Sequence, residues 1–271
     1  MTAEDWAPDD VDLQRPNAAR VYDYYLGGSH NFAIDREMAR KAIDMWPDLP
    51  MIIRANRAFL ARAVRFLVRQ GVRQFLDLGS GIPTVGSVHE IAQAESPDAR
   101  VVYVDVDPVA VAHARMILTG NKNATVIQGD LRRPDGILGQ PDVVKLLDLD
   151  EPVGVLMIAV LHFVPDADDP AAIIAGYRRT LQSDSYIAVS HASDDELPPQ
   201  LTADHRALYA RTPTPMCMRS HAQIVGLLEG WGLVEPGLVR IPLWRPDPGE
   251  ELPADPHLFA GYAGVARSVT A

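Results

Sequence analysis

The sequence predicts an α/β fold: a seven-stranded, mostly parallel sheet with an antiparallel last strand and helices on both faces. Three observations carry this. From Gly71 onward, short apolar runs alternate with segments of helical period, the pattern of a parallel sheet with helical crossovers. The runs at 74–78 and 153–161 are continuously apolar apart from single residues, as in strands buried on both faces. The last two runs, 238–244 and 259–267, are joined by a loop rich in proline and acid. No helix fits there, so these two strands pair antiparallel.

Taken in order, residues 1–16 are acidic and aperiodic and read as a tail. Residues 19–26 form a short helix stopped by Gly27 and Gly28, with Tyr22, Tyr24 and Tyr25 within one turn. Either two of these tyrosines pack the helix, or they form an aromatic lid over a pocket. Asn31 to Asp35 open a second helix that ends before Pro47. A third spans 56–68, with Phe59, Ala63 and Phe66 on its apolar face and Arg62, Arg65 and Arg69 on a face expected in solvent. Arg54 and Asn56 precede it, as a surface charge and a cap or as groups reaching toward the ligand turn. Strands follow at 74–78, 101–104, 124–128, 153–161 and 186–190. Ser87 and Glu90 frame a capping box, and His89 beside them reads as a surface histidine. Asp107-Pro108 caps the next helix. The polar stretch 194–218 is either a surface excursion or one wall of an acceptor pocket, lined by Tyr209, Arg211, Met216, Met218 and Arg219.

Composition narrows the class. A chain of 271 residues suits one large domain, and 47% hydrophobic with 23% charged residues is ordinary for a globular chain. The net charge of −11 argues against broad nucleic-acid binding. Cys217 is the lone cysteine, which excludes an internal disulfide and a cysteine metal cluster; no metal is expected. The acidic start is unlike a signal peptide, and the longest nearly apolar run, 153–164, falls short of the ~20 residues that span a bilayer. A soluble cytoplasmic protein without a membrane partner is expected, and the oligomeric state is left open.

In parallel sheets ligands bind beyond the carboxyl ends of the strands, so the tips carry the function. The first tip reads Asp77-Leu78-Gly79-Ser80-Gly81. Gly79 and Gly81 let the backbone approach a ligand, and Asp77 needs a cationic or amino-bearing partner to offset its burial. Thr84 stands where a dinucleotide fingerprint needs its third glycine, and the loop runs long before the helix begins. That disfavours a nicotinamide-dependent oxidoreductase and fits a ligand with a ribose and an amino acid but no phosphate. The second tip offers Asp105 as a bidentate acceptor for ribose hydroxyls, against a plain solvated aspartate; Asp107 is the cap. The third offers Asp130 for an exocyclic amino group and the Leu131 backbone for a ring nitrogen, or else an ordinary turn. The fourth runs from Ala159 through His162 to Asp166. His162 either bonds backbone or faces the cofactor or acceptor; the second reading is preferred, without the role of an essential base.

These tips together resemble the class I S-adenosylmethionine-dependent methyltransferases: 75–81, 101–105, 129–131 and 160–166. The likeness is closer to the actinobacterial "S-adenosyl methyltransferase" family, through 19–28 with Asn31-Phe32, 54–60, Val88-His89-Glu90 and 159–166. The resemblance implies a Rossmann-like core at 71–271, under a tail and helical lid at 1–70, as one structural domain. It implies S-adenosyl-L-methionine as cofactor, with S-adenosyl-L-homocysteine as product. By position, Gly79, Ser80 and Gly81 would wrap the methionine part, Asp77 its amino group, and Asp105 the ribose. Val106 would pack on the adenine, and Asp130 with Leu131 would read its edge. Tyr22, Tyr25 and Asn31 would close from above, and Ala159 and His162 would complete the site. It implies no particular acceptor; a small molecule is expected. A non-catalytic binder of the same cofactor stays open.

Overall fold

The computed structural model describes residues 14–83, 86–210, 212 and 215–269. The expected tail up to residue 13, Thr84 and Arg211 lie outside them. The chain opens with three helices. Asn17 caps α1 (Ala18–Tyr25) by accepting the Ala19 N–H at 2.8 Å. α2 (Ala33–Met45) and α3 (Leu49–Arg69) follow. α3 begins earlier than its apolar period predicts, so Arg54 and Asn56 lie within the helix rather than ahead of it.

The alternating part then runs β1 (Gln74–Leu78), α4 (Val88–Glu95), β2 (Arg100–Asp105), α5 (Pro108–Ile117) and β3 (Ala124–Gln128). Next come α6 (Pro134–Leu138), α7 (Pro141–Leu146), β4 (Val153–Ile158), α8 (Pro170–Thr180) and β5 (Tyr186–Ala192). The chain finishes through α9 (Pro199–Tyr209), α10 (His221–Leu227), β6 (Trp231–Leu233), β7 (Val239–Arg240) and β8 (Gly261–Ser268).

The eight strands form one sheet in the order β3-β2-β1-β4-β5-β8-β6, with β7 also on β8. β1 to β5 pair parallel; β8 is antiparallel to β5, and β6 and β7 to β8. β6 pairs with residues 266–268 and β7 with 262–263, while β5 takes the other edge of β8. The eight strands therefore fill seven positions. The expected strand at 238–244 shrinks to two residues because Pro242 follows in a 3-10 turn and offers no N–H to a ladder.

Side chains alternate across the sheet, as pleating requires. Phe75, Tyr103 and Leu156 join one core with α3; Leu76, Val102 and Met157 join another with α8. A third core links the N-terminal helices to the segment after β5, through Tyr25, Trp46, Tyr209 and Met218. Two surface expectations are corrected. Arg62 is buried and donates to the carbonyls of Trp244 and Ile241 at 2.9 and 3.1 Å, with Glu250 beside it. His89 is buried because its ring nitrogen and backbone N–H both meet the Tyr103 hydroxyl at 2.8 Å. Among the described residues no helix is long and apolar enough to cross a membrane.

Candidate ligand site at the strand tips

Strand order reverses between β1 and β4, and a cleft of about 590 Å3 opens there, at the carboxyl ends of β1 to β4 and under α1. Asp77, Gly79, Ser80 and Gly81 line it from β1, Asp105 and Val106 from β2, Asp130 and Leu131 from β3, and Ala159 from beyond β4. Gly79 and Gly81 have φ of 69° and 63°, a conformation that strains any residue with a Cβ. A Cβ at Gly79 would also lie 2.2 Å from Val160 Cγ2. The turn is tight because the Gly79 and Ser80 N–H groups both return to the Val104 carbonyl.

The carboxylates differ in their surroundings. Asp77 is buried, and no hydrogen bond reaches its carboxyl group among the described residues. Burial pushes it up to about 7; Arg57 opposes this and Asp105 adds to it. Asp105 is also buried, but one oxygen accepts the Gly81 N–H at 2.7 Å and the other the Asp107 N–H at 2.9 Å. Burial still raises it to about 6. Each of its oxygens keeps a lone pair for a further donor. Asp107 caps α5 through Val109 N–H, as its position predicts. Val106 is 57% exposed at the mouth, an apolar face without a cover. Asp130 is held by Arg132, through its backbone N–H, Nε and Nη2, which lowers its pKa. The Tyr177 hydroxyl donates to the Leu131 carbonyl and sets that peptide's orientation.

α1 closes the cleft. The Tyr22 hydroxyl accepts from Asn56 Nδ2 at 2.8 Å, which leaves its own O–H to donate elsewhere. Asn56 Oδ1 accepts from Ser190 Oγ at 2.6 Å, and Ser190 Oγ accepts from the Ala159 N–H at 2.9 Å. This relay ties α1 and α3 to the tips of β4 and β5. Ala159 sits at φ 54°, a strained value for a non-glycine residue, where the chain leaves β4.

A smaller chamber of about 80 Å3 adjoins the cleft and shares Ala18, Tyr22, Ala159 and Phe163 with it. Tyr25 and His162 line this chamber, not the cleft. β4 ends at Ile158, three residues short of its predicted end, so His162 lies on a 3-10 turn and not on the strand. Tyr209, Met216 and Met218, offered by the sequence as a pocket wall or a surface excursion, line the chamber. Arg219 does not; its guanidinium donates to the Leu161 and Val164 carbonyls and to Asp166, which secures that turn. Asn31 lines neither space. Its amide donates to Asp23 and to the Gly28 carbonyl, because Asp23 is the hub of the turn after α1. Gly28 leaves room for that carboxylate: a Cβ there would lie 2.0 Å from Asp23 Oδ1.

Sequence reasoning missed Arg57, the Asn56 relay, Ser190, His191 and His205. Ser190-His191 had a signal, two polar residues closing the fifth apolar run. His205 had none, because Trp46, which covers it with Tyr209 of its own helix, comes from a distant segment.

The geometry has solved counterparts. A candidate methyltransferase from Thermobifida fusca YX superposes with a TM-score of 0.90 at 37% identity, over 98% of this chain and 99% of that one. A DUF574 family protein from Streptomyces avermitilis MA-4680 does so with a TM-score of 0.90 at 38% identity, over 95% and 99%. Human N-acetylserotonin methyltransferase in complex with SAM shares the fold, with a TM-score of 0.51 at 17% identity over 94% of this chain and 63% of that one. No curated protein sequence matches. The family model described as S-adenosyl methyltransferase matches residues 4–269, and the chain belongs to that family.

Proposed function

We propose that the cleft binds S-adenosylmethionine and that the protein transfers its methyl group to a small molecule in the adjoining chamber. The observation that carries this is Asp77. A buried carboxylate without a hydrogen bond is costly, and an ammonium group offsets that cost best. The α-amino group of the cofactor is such a group. The rest of the cleft fits the remainder. Asp105 offers two lone pairs to a ribose diol, held in place by Gly81 and Asp107. The exposed Val106 offers an apolar face to a purine, with Asp130 and Leu131 at its edge. The turn at Gly79 and Gly81 leaves space where side chains would stand.

Bound there, the cofactor supplies a methyl group already activated by its sulfonium. The residues of this chain have two tasks: to align the acceptor and to exclude water. Orientation of this kind supplies ~7–11 kcal/mol of a barrier. Tyr22, Ala159 and Phe163 stand where the two spaces meet, so they set that alignment. Family membership supports methyl transfer over mere binding. Calorimetry with S-adenosylhomocysteine tests the cofactor, and its release from S-adenosylmethionine in a cell extract tests turnover. Micromolar binding with turnover is expected. Binding without turnover in any extract would leave a sensor, and no binding sinks the whole reading.

A further inference from the structure

We infer that the chamber takes an uncharged small molecule of about one substituted ring, held by a hydrogen bond between its hydroxyl or amino group and His205. This rests on the cofactor reading only in naming that molecule the methyl acceptor.

The chamber's chemistry is uniform. None of the described residues that line it is Asp, Glu, Lys or Arg. Trp46, Phe163 and Tyr209 supply ring faces, and Met216 and Met218 supply thioethers that adapt to a ring edge. A charged ligand would lose its hydration there with no counter-charge.

Many polar atoms in the wall are engaged already. Asn56 and Ser190 bond each other, Tyr25 and Tyr209 pair through their hydroxyls at 3.4 Å, and His191 donates to the Ala192 carbonyl at 2.7 Å while accepting from Arg219. His162 Nδ1 accepts the Ala192 N–H at 3.3 Å, so the neutral ring carries its proton on Nε2. The Tyr22 O–H, the Trp46 Nε1–H and the His162 Nε2–H meet no acceptor among the described residues, and His205 goes further. It is 2% exposed, and both its ring nitrogens are without a hydrogen-bond partner among the described residues. Its ring meets two others, Tyr209 tilted by 40° with centroids 4.9 Å apart and Trp46 nearly perpendicular at 5.6 Å. Burial pushes it down to about 4, so it is neutral near pH 7, with one donor and one acceptor. Leaving such groups unpaired in a buried place is costly. A hydroxyl or amine, itself donor and acceptor, complements them.

Size agrees. One water needs about 10–15 Å3 of such space. A chamber of about 80 Å3 thus holds on the order of six waters, the bulk of a single ring with a substituent.

The test uses the full chain, with and without saturating S-adenosylhomocysteine, and ligand-observed NMR titrations with phenol, benzylamine and benzoate. Phenol is expected to bind at least tenfold more tightly than either charged ring. His205→Phe, which keeps a ring against Trp46 and Tyr209, should weaken phenol at least fivefold while S-adenosylhomocysteine affinity stays within twofold. His205→Gln, which restores a donor and an acceptor, should recover part of the loss. Equal phenol binding in wild type and His205→Phe, or equal binding of benzoate or benzylamine, overturns the inference even where the cofactor product binds. Phenol binding that depends on His205 in a protein that ignores S-adenosylhomocysteine upholds the chamber and removes the cofactor reading instead.

Discussion

The cleft of about 590 Å3 and the chamber of about 80 Å3 meet at Tyr22, Ala159 and Phe163 but are built from opposite chemistry. The cleft is lined by Asp77, Asp105, Asp107 and Asp130 with Arg57 and Arg132; the chamber by rings, thioethers and histidines. In the cleft, no hydrogen bond reaches the Asp77 side chain among the described residues, and it is a carboxylate. In the chamber, both ring nitrogens of His205 stand without a partner among the described residues, and it is an uncharged imidazole. The difference teaches how one shared wall can serve two ligands. On the two readings proposed above, charge would sort a cationic, polar molecule into one space and a neutral one into the other.

The largest break of this contrast comes from removing the charge. Asp77→Asn should weaken S-adenosylhomocysteine roughly 100-fold by calorimetry, in line with loss of a buried ion pair. Phenol binding in the chamber should not change. An affinity loss under threefold would remove Asp77 from the cofactor site. The same variant should gain stability without ligand. A raised carboxyl keeps, between about pH 4 and 7, a proton that the unfolded chain releases. Stability therefore falls as pH rises through that window and stays low above it. At pH 8 the variant should unfold roughly 1–3 kcal/mol later than wild type in a urea titration.

A smaller effect sharpens the comparison through pH. With Asp77 near 7, its ionised fraction falls about tenfold from pH 8 to pH 6, and ammonium binding falls with it. S-adenosylhomocysteine should bind about tenfold more weakly at pH 6 than at pH 8. Asp77→Asn should keep only the lesser part due to Asp105, which burial raises to about 6. Phenol binding should be flat across that range, because His205 and His191 lie near 4. A flat cofactor profile would place the ionisation elsewhere.

Smallest is the shared wall. Tyr22→Phe deletes the hydroxyl that Asn56 donates to, and should cost two- to threefold in both ligands. Tyr22→Ala opens the partition and should cost turnover more than cofactor affinity. If alanine there leaves both affinity and turnover unchanged, the lid idea fails.

Much of the cleft was legible because its residues follow one another along the chain. Asp77 to Gly81, Asp105-Val106 and Asp130-Leu131 each end an apolar run, and a parallel sheet brings successive ends to one edge. The chamber was legible only in outline. Tyr209, Met216 and Met218 could be placed near the N-terminal tyrosines, but Arg219 turned away to secure the turn at 161–163. Surface expectations failed where a distant segment covers a helix. Arg62 is buried under the turn at 241–243, and His89 against Tyr103. No local period reports such cover.

By itself the sequence determined the layered sheet and the carboxylates that close its strand ends. Those follow from apolar runs and turn residues, which act over a few neighbours. Only the tertiary structure decided which carboxylate stands without a hydrogen bond, and that His205 lines a mostly apolar chamber. Burial and the loss of solvent partners depend on segments far apart in the chain, and these meet only once the whole is packed.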